Sequence, residues 1–145
     1  MKSLLKTFLV TSLIFLFSVF GFSQTTITIT LIVDTDTFER ADWQSSCSFE
    51  AEWADTGDVI TSNGDLEDFL VEASVDDTII WEGVSSSSES VIVDITKIKY
   101  KKGTRIFKNK TNYGKKLNGS KKEKVKTKAL YITKDKPDYK YDLAF

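Results

Sequence analysis

Four aspartates could supply oxygen ligands for a calcium ion. Asp34 and Asp36 are two residues apart at the end of a strand-like segment, so both carboxylates lie on one face, whereas Asp76 and Asp77 fall in a turn. Ca²⁺ takes about six to eight converging oxygen ligands. The sequence has neither EF-hand spacing nor a Gly-Asp repeat. Two hypotheses therefore stay open: a calcium site, or turn carboxylates that cap the ends of strands.

Nine lysines fall between residues 108 and 128, in a segment with few apolar residues. Such a segment can hold an anionic polymer because binding releases condensed counterions. We therefore predict a Lys-rich loop near 108–124 and nonspecific contact with an acidic polysaccharide or DNA. No RNP-type aromatic pair and no zinc knuckle occurs, so we do not expect specific nucleic-acid recognition. The candidate polyanion-binding residues are Lys108, Lys110, Lys115, Lys116, Lys121 and Lys122.

The sequence lacks histidine and has one cysteine, Cys47. This excludes Ser-His-Asp and Cys-His catalysis, His-containing zinc sites and an intrachain disulfide. Cys47 alternates in phase with apolar residues up to Trp53, which predicts a small side chain packed on a core face, and the neighbouring Glu50 and Glu52 would raise the thiol pKa. Nucleophile-elbow and phosphate-binding glycine motifs are also absent. We predict that the protein is not an enzyme and has no cofactor other than the calcium considered above.

Apolar and polar residues alternate with a period of two along much of the chain, which predicts β-strands separated by turns rich in Asp, Asn, Gly and Ser. The number and spacing of these segments predict an all-β fold: an antiparallel β-sandwich, immunoglobulin-like in general architecture. Trp53 and Trp81 are predicted to fill its core, and Trp43, in an irregular stretch, is a candidate ligand contact. The seven predicted strands span residues 26–33, 47–53, 69–75, 78–81, 91–96, 125–131 and 139–145.

Charge is divided unevenly along the chain. Residues 25–96 contain seventeen acids and one base, a net charge of −16, whereas residues 97–145 contain seventeen bases and four acids, a net charge of +13. One interpretation is that basic strands lie beside acidic strands and neutralise them. The alternative is that the basic part of the chain binds an external polyanion.

The N-terminal segment has the order of a secretory signal peptide. Lys2 and Lys6 precede the apolar residues 8–22, and small residues flank Phe22 before Gln24. About fifteen apolar residues are fewer than the roughly 20 that span a bilayer. We predict a signal peptide over residues 1–23, cleaved near Ser23/Gln24, and a single β domain over residues 24–145. The mature protein would be secreted, periplasmic or on the cell surface without stable membrane insertion, acting as a binding or structural module.

The C-terminal segment allows a different interpretation. Tyr139, Tyr141, Leu143 and Phe145 alternate with other residues, which is typical of the last strand of an outer-membrane barrel. Most of the predicted strands are shorter than the about 9–11 residues that such a barrel uses. The C-terminal pattern keeps a small outer-membrane β-barrel open as an alternative function, although the short strands do not favour it. A sandwich that lacks its last strands is a second explanation of the same pattern.

One segment also resembles a group of proteins. The stretch DTIIWEGVSSSS from Asp77, with the opening TITITLIVDT from Thr26, resembles small exported β-rich proteins of marine Bacteroidota. In these, an Ile-x-Trp-x-Gly-Val-Ser-Ser-Ser segment precedes a Lys-Ile-x-Tyr strand and a Gly-Thr-x-Ile-Phe turn, and residues 95–100 and 103–107 stand in those places. The resemblance covers most of residues 24–107 and the final strand. It implies export and a further hairpin after that strand, and it assigns no catalytic or binding residue.

Overall fold

The computed structural model describes residues 24–62, 66, 69–103, 105–117, 119–130 and 140–145, so the predicted signal peptide lies outside the described residues. Within these ranges the chain forms strands and one 3-10 helix, Arg40–Ser46, and no helix long and apolar enough to cross a membrane. The strands are β1 (Thr26–Val33), β2 (Cys47–Trp53), β3 (Val59–Thr61), β4 (Thr78–Ser85), β5 (Lys97–Lys102), β6 (Thr111–Tyr113), β7 (Lys115–Lys116), β8 (Glu123–Lys128) and β9 (Lys140–Ala144).

The strands form two sheets, which confirms the predicted all-β, sandwich-like fold. The larger sheet has the order β3-β2-β1-β4-β8-β7, and the smaller has the order β6-β5-β9. The pairs are antiparallel except for the central pair β1–β4, which is parallel and sets Thr26 opposite Thr78. This one pair is parallel because the segment that includes β2 and β3 returns the chain to the end of the sheet where β1 begins, next to Thr25.

The core lies on the inward faces of both sheets. On β1 the buried residues Ile27, Ile29, Leu31 and Val33 alternate with half-buried ones, as the period-two pattern predicts. Trp81 on β4 is buried as predicted, and Trp53 on β2 is half-buried against the same core. Ile98 on β5, Phe107 and Val125 on β8 complete the core between the sheets.

Two of the predicted strands are irregular. Residues 69–75 and 91–96 have alternating buried positions, but neither segment is part of a strand. Val93 packs so closely on β4 that a Cβ atom at Gly83 would lie 2.5 Å from its Cγ1 atom. Alternation of apolar and polar residues indicates which side of a segment is buried. A strand also needs a neighbouring segment with which its backbone forms a series of hydrogen bonds. The last two predicted strands are present in shorter form as β8 and β9.

Candidate anion-binding surface

The outward side of the three-stranded sheet carries lysines in a row. Along β5, Lys97 and Lys99 are exposed while Ile98 between them is 1% exposed and faces the core. Antiparallel pairing sets Lys97 opposite Tyr113 on β6. The Tyr113 side chain is 69% exposed. We call Lys97, Lys99, Lys101 and Tyr113 the basic face.

The charges of the basic face are only partly neutralised within the protein. Lys101 forms an ion pair with Asp142 on β9, with 3.2 Å between Nζ and Oδ1, and both side chains are more than half exposed. Lys97 and Lys99 form no ion pair with any residue that the structure describes. Two ammonium groups without an ion pair among the described residues therefore lie on the same surface as an exposed phenol ring.

Two of the lysines predicted from the sequence border this surface. Lys108 and Lys110 are exposed in the bend that precedes β6. The Tyr100 amide of β5 donates a 2.7 Å hydrogen bond to the Lys110 carbonyl, so this bend lies beside the end of β5. The two lysines extend the positive charge of the basic face toward Lys102, which is also exposed.

The other predicted lysines lie elsewhere, because the segment predicted as a Lys-rich loop near 108–124 includes β6, β7 and the start of β8. Lys115 and Lys116 form the exposed edge strand β7 of the larger sheet, and Lys121 is exposed in the turn before β8. Gly114 lies between β6 of the smaller sheet and β7 of the larger sheet. Its backbone packs so closely on Ile95 that a Cβ atom would lie 2.2 Å from the Ile95 carbonyl oxygen. The segment thus supplies edge strands to two different sheets.

Lys122 is engaged within the protein. Its ammonium group donates a 2.8 Å hydrogen bond to the Gly83 carbonyl and lies 3.8 Å from Glu82 Oε2. Lys124 forms a second ion pair with the same carboxylate. At this junction of β4 and β8, basic residues from the second half of the chain neutralise an acid from the first half, as one interpretation of the charge division predicts.

The four aspartates proposed as calcium ligands act in two separate turns. Hydrogen bonds from the Thr37 hydroxyl (2.8 Å) and the Asp36 amide (3.2 Å) to the Asp34 carboxylate lower its pKa. Asp77 is 3% exposed and accepts hydrogen bonds from the amides of Thr25 (3.0 Å) and Ser74 (2.7 Å). These turns lie at opposite ends of the parallel pair β1–β4, about 26 Å apart for eight residues. The structure does not bring the two pairs together.

Neither acidic pair belongs to a larger ligand cluster in the described part of the chain, where no group of three or more acidic, cysteine or histidine side chains could hold a metal ion. Trp43 lies in the 3-10 helix and is 36% exposed. Cys47 is half-buried at the edge of the core, and burial raises its thiol pKa. The predicted rise of the Cys47 pKa is thus confirmed, but its cause is burial of the thiol and not the charge of Glu50 and Glu52.

Two surface features were not singled out from the sequence. The resemblance described above implies a Lys-Ile-x-Tyr strand over these lysines, but the alternation of apolar residues ended the predicted strand at residue 96, and Lys97 and Lys99 were not predicted to bind an anion. The second feature is an open cavity of about 350 Å³, lined mainly by apolar side chains from distant segments, including Phe38, Ile92 and Phe145. The Phe38 and Phe145 rings meet at its border with centroids 5.9 Å apart.

The class of protein that these features define is an all-β, two-sheet protein with a strongly basic three-stranded sheet. Comparison of the chain with protein-family models, with curated proteins and with solved structures finds no match.

Proposed function

We propose that this protein acts outside the cytoplasm as a non-enzymatic binding module and that its basic face holds an anionic polymer. The observation that carries the proposal is the exposed pair Lys97 and Lys99, which form no ion pair with the described residues, with the exposed ring of Tyr113 directly opposite Lys97. Export is supported by the order of basic, apolar and small residues over 1–23.

Each element of the basic face has a distinct role in binding. Lys97 and Lys99 lie on one side of a strand with their Cα atoms about 6.6 Å apart, and their ammonium groups replace the counterions of the polymer. The Tyr113 ring offers a flat apolar surface on which a sugar ring or a base can stack. Lys108 and Lys110 lengthen the positive track. None of these contacts distinguishes one base or sugar of the polymer from another, so the proposed binding is nonspecific.

Fluorescence anisotropy with labelled heparin and with labelled oligo-dT, at about 50 to 200 mM salt, tests the proposal. We expect the double variant Lys97→Glu/Lys99→Glu to bind at least about tenfold more weakly and to reduce the salt slope by about one to two. Tyr113→Ala should weaken binding severalfold and leave the slope unchanged, because stacking releases no counterion. Binding of heparin alone would point to a polysaccharide, and binding of both probes to polyanions in general.

The matched control is Lys121→Glu/Lys128→Glu, which makes the same change in net charge away from the three-stranded sheet. This control should retain most of the affinity. Equal losses in the two double variants would show that affinity follows net charge alone, and the assignment to the basic face would then be wrong. The same conclusion follows if neither polymer binds in a salt-dependent way.

Export is tested separately by expressing the whole chain in a bacterial host that secretes through signal peptides. The exported protein should have the mass of a chain that starts at Gln24. An intact mass that still contains residues 1–23 would contradict the predicted cleavage, whatever the outcome of the binding assay.

A further inference from the structure

The outward face of the six-stranded sheet has a row of side chains that crosses four strands. Glu52 on β2 is opposite Thr28 on β1, Thr28 is opposite Ile80 on β4, and Ile80 is opposite Lys126 on β8. All four side chains point away from the core, because each alternates with residues that pack into it. The row therefore has an acid at one end, a base at the other and uncharged residues between them.

The charges at the two ends of this row are not neutralised in the part of the chain that the structure describes. Glu52 and Lys126 are exposed and form no ion pair there, in contrast to Glu82, which lies close to two lysines. They cannot pair with each other, because three strand spacings of about 4.8 Å separate them by about 14 Å. In the next row, Glu50 is opposite Thr30, and Thr30 is opposite Glu82, whose carboxylate is already paired with Lys122 and Lys124.

We propose that this face is an interface between two copies of the protein. A twofold axis parallel to the strands and midway between β1 and β4 would lay β2 of one copy over β8 of the other. Glu52 would then face Lys126 of the partner subunit, and the symmetry would repeat the contact. The face is self-complementary under this operation, as an isologous interface requires.

The centre of the face is suited to contact between the copies. Thr28 and Ile80 are half-buried, and the parallel register also sets Ile32 opposite Val84 on the same side. The centre of the surface thus consists of threonines and apolar side chains together with one carboxylate, Glu82, which forms ion pairs with Lys122 and Lys124. Unpaired charges lie at the border, as is common at protein interfaces. β1 and β4 run in the same direction and have eight residues each. The twofold rotation therefore places β1 of one copy over β4 of the other, in the same direction.

The size of the face predicts a weak dimer. Five strand widths by seven residues give about 24 × 23 Å, or about 1,100 Å² buried over both copies. This is slightly below the about 1,200 Å² at which stable specific interfaces begin. Because exposed ion pairs contribute much of the attraction, we expect dimerisation in the micromolar range or weaker that declines as salt is added.

Sedimentation velocity of the purified protein between about 5 and 500 µM, at low salt, tests this interface. The protein should dimerise, and Glu52→Lys or Lys126→Glu should each weaken dimerisation at least about tenfold through like-charge contacts. An equimolar mixture of the two variants should form heterodimers, because every charge at position 52 then faces an opposite charge at position 126. For the same reason the double variant Glu52→Lys/Lys126→Glu should regain the homodimer.

Glu89→Lys and Lys121→Glu serve as controls with the same charge changes outside the sheet face, and both should dimerise like the unaltered protein. A protein that stays monomeric at 500 µM and low salt would overturn the proposal. So would a dimer that neither single variant weakens. Loss of the dimer in both single variants, with recovery neither in the mixture nor in the double variant, would also overturn it. The interface is independent of the basic face, so polymer binding and dimerisation can fail separately.

Discussion

The ring of Phe107 meets the ring of Trp81 edge to face, with centroids 5.3 Å apart and an angle of 86° between the ring planes. Trp81 lies on β4 of the larger sheet, while Phe107 also contacts Tyr141 on β9 of the smaller sheet, with centroids 5.0 Å apart. Phe107 is 1% exposed. Phe107, which belongs to no strand, thus contacts an aromatic side chain of each sheet.

Phe107→Ala should lower the free energy of unfolding by about 3–5 kcal/mol, because it removes a fully buried ring and leaves a cavity between the sheets. Urea unfolding followed by tryptophan fluorescence measures the change. Tyr113→Ala, which truncates an exposed aromatic residue, is the control and should cost about 0.5 kcal/mol or less. Similar losses in both variants would mean that Phe107 does not join the sheets.

Asp77→Ala should destabilise the fold by about 2–3 kcal/mol, because the amides of Thr25 and Ser74 lose a charged acceptor in a partly buried turn. Thermal unfolding measures the loss, with Asp58→Ala at an exposed turn as the control. Since both Asp77 oxygens already accept backbone hydrogen bonds, we expect millimolar Ca²⁺ to leave the melting temperature of the unaltered protein unchanged. A rise with Ca²⁺ that chelator reverses would instead support the calcium hypothesis.

Asp34 should give the protein a small dependence of stability on pH in the acid range. Its folded pKa lies below the usual 3.8, chiefly through the Thr37 hydroxyl, so its contribution is present above pH 3.8 and is lost as the pH falls through the lower folded value. The difference in melting temperature between the protein and Asp34→Asn should therefore shrink between about pH 5 and pH 2. Thr37→Val should reproduce part of the effect. A difference that is constant with pH would contradict this account.

Cys47 should react slowly with iodoacetamide in the folded protein. Burial raises its pKa above the usual 9.0, so less of the reactive thiolate is present at pH 8. We expect alkylation at least about threefold slower than in the urea-unfolded chain, as measured by mass spectrometry. Equal rates in the two states would show that the thiol is neither buried nor shifted.

Much of the fold was predictable because burial on one side of a strand leaves a local pattern. The alternation from Ile27 to Val33 gave the correct face of β1, and the alternation from Cys47 to Trp53 gave the bounds of β2. The parallel pairing of β1 with β4 was not predictable in this way, since it depends on the path of residues 34–77 between them. Residues 91–96 alternate like a strand, but in the part of the chain that the structure describes they make isolated backbone hydrogen bonds, such as those from Ile95 to Glu123 and from Thr96 to Ala144, and form no strand.

The candidate site was only partly predictable for the same reason. Charge counting located the basic half of the chain and two residues beside the basic face, Lys108 and Lys110. It could not show that Lys97 lies opposite Tyr113, because this contact depends on the register between β5 and β6. Charge counting also could not show that the Lys122 ammonium group contacts the Gly83 carbonyl and the Glu82 carboxylate, because these residues lie about forty positions earlier.

The order of the strands also has a consequence for the way in which the chain folds. β1 pairs with a strand that begins 52 positions later, and β5 pairs with β9 over a separation of up to 47 positions. Contacts so distant in sequence close large loops, which slows folding. During synthesis from the N-terminus, β1, β2 and β4 can pair before β9 exists, whereas the three-stranded sheet that carries the basic face needs β9 beside β5. The central pair of the larger sheet is therefore expected to form before the binding surface.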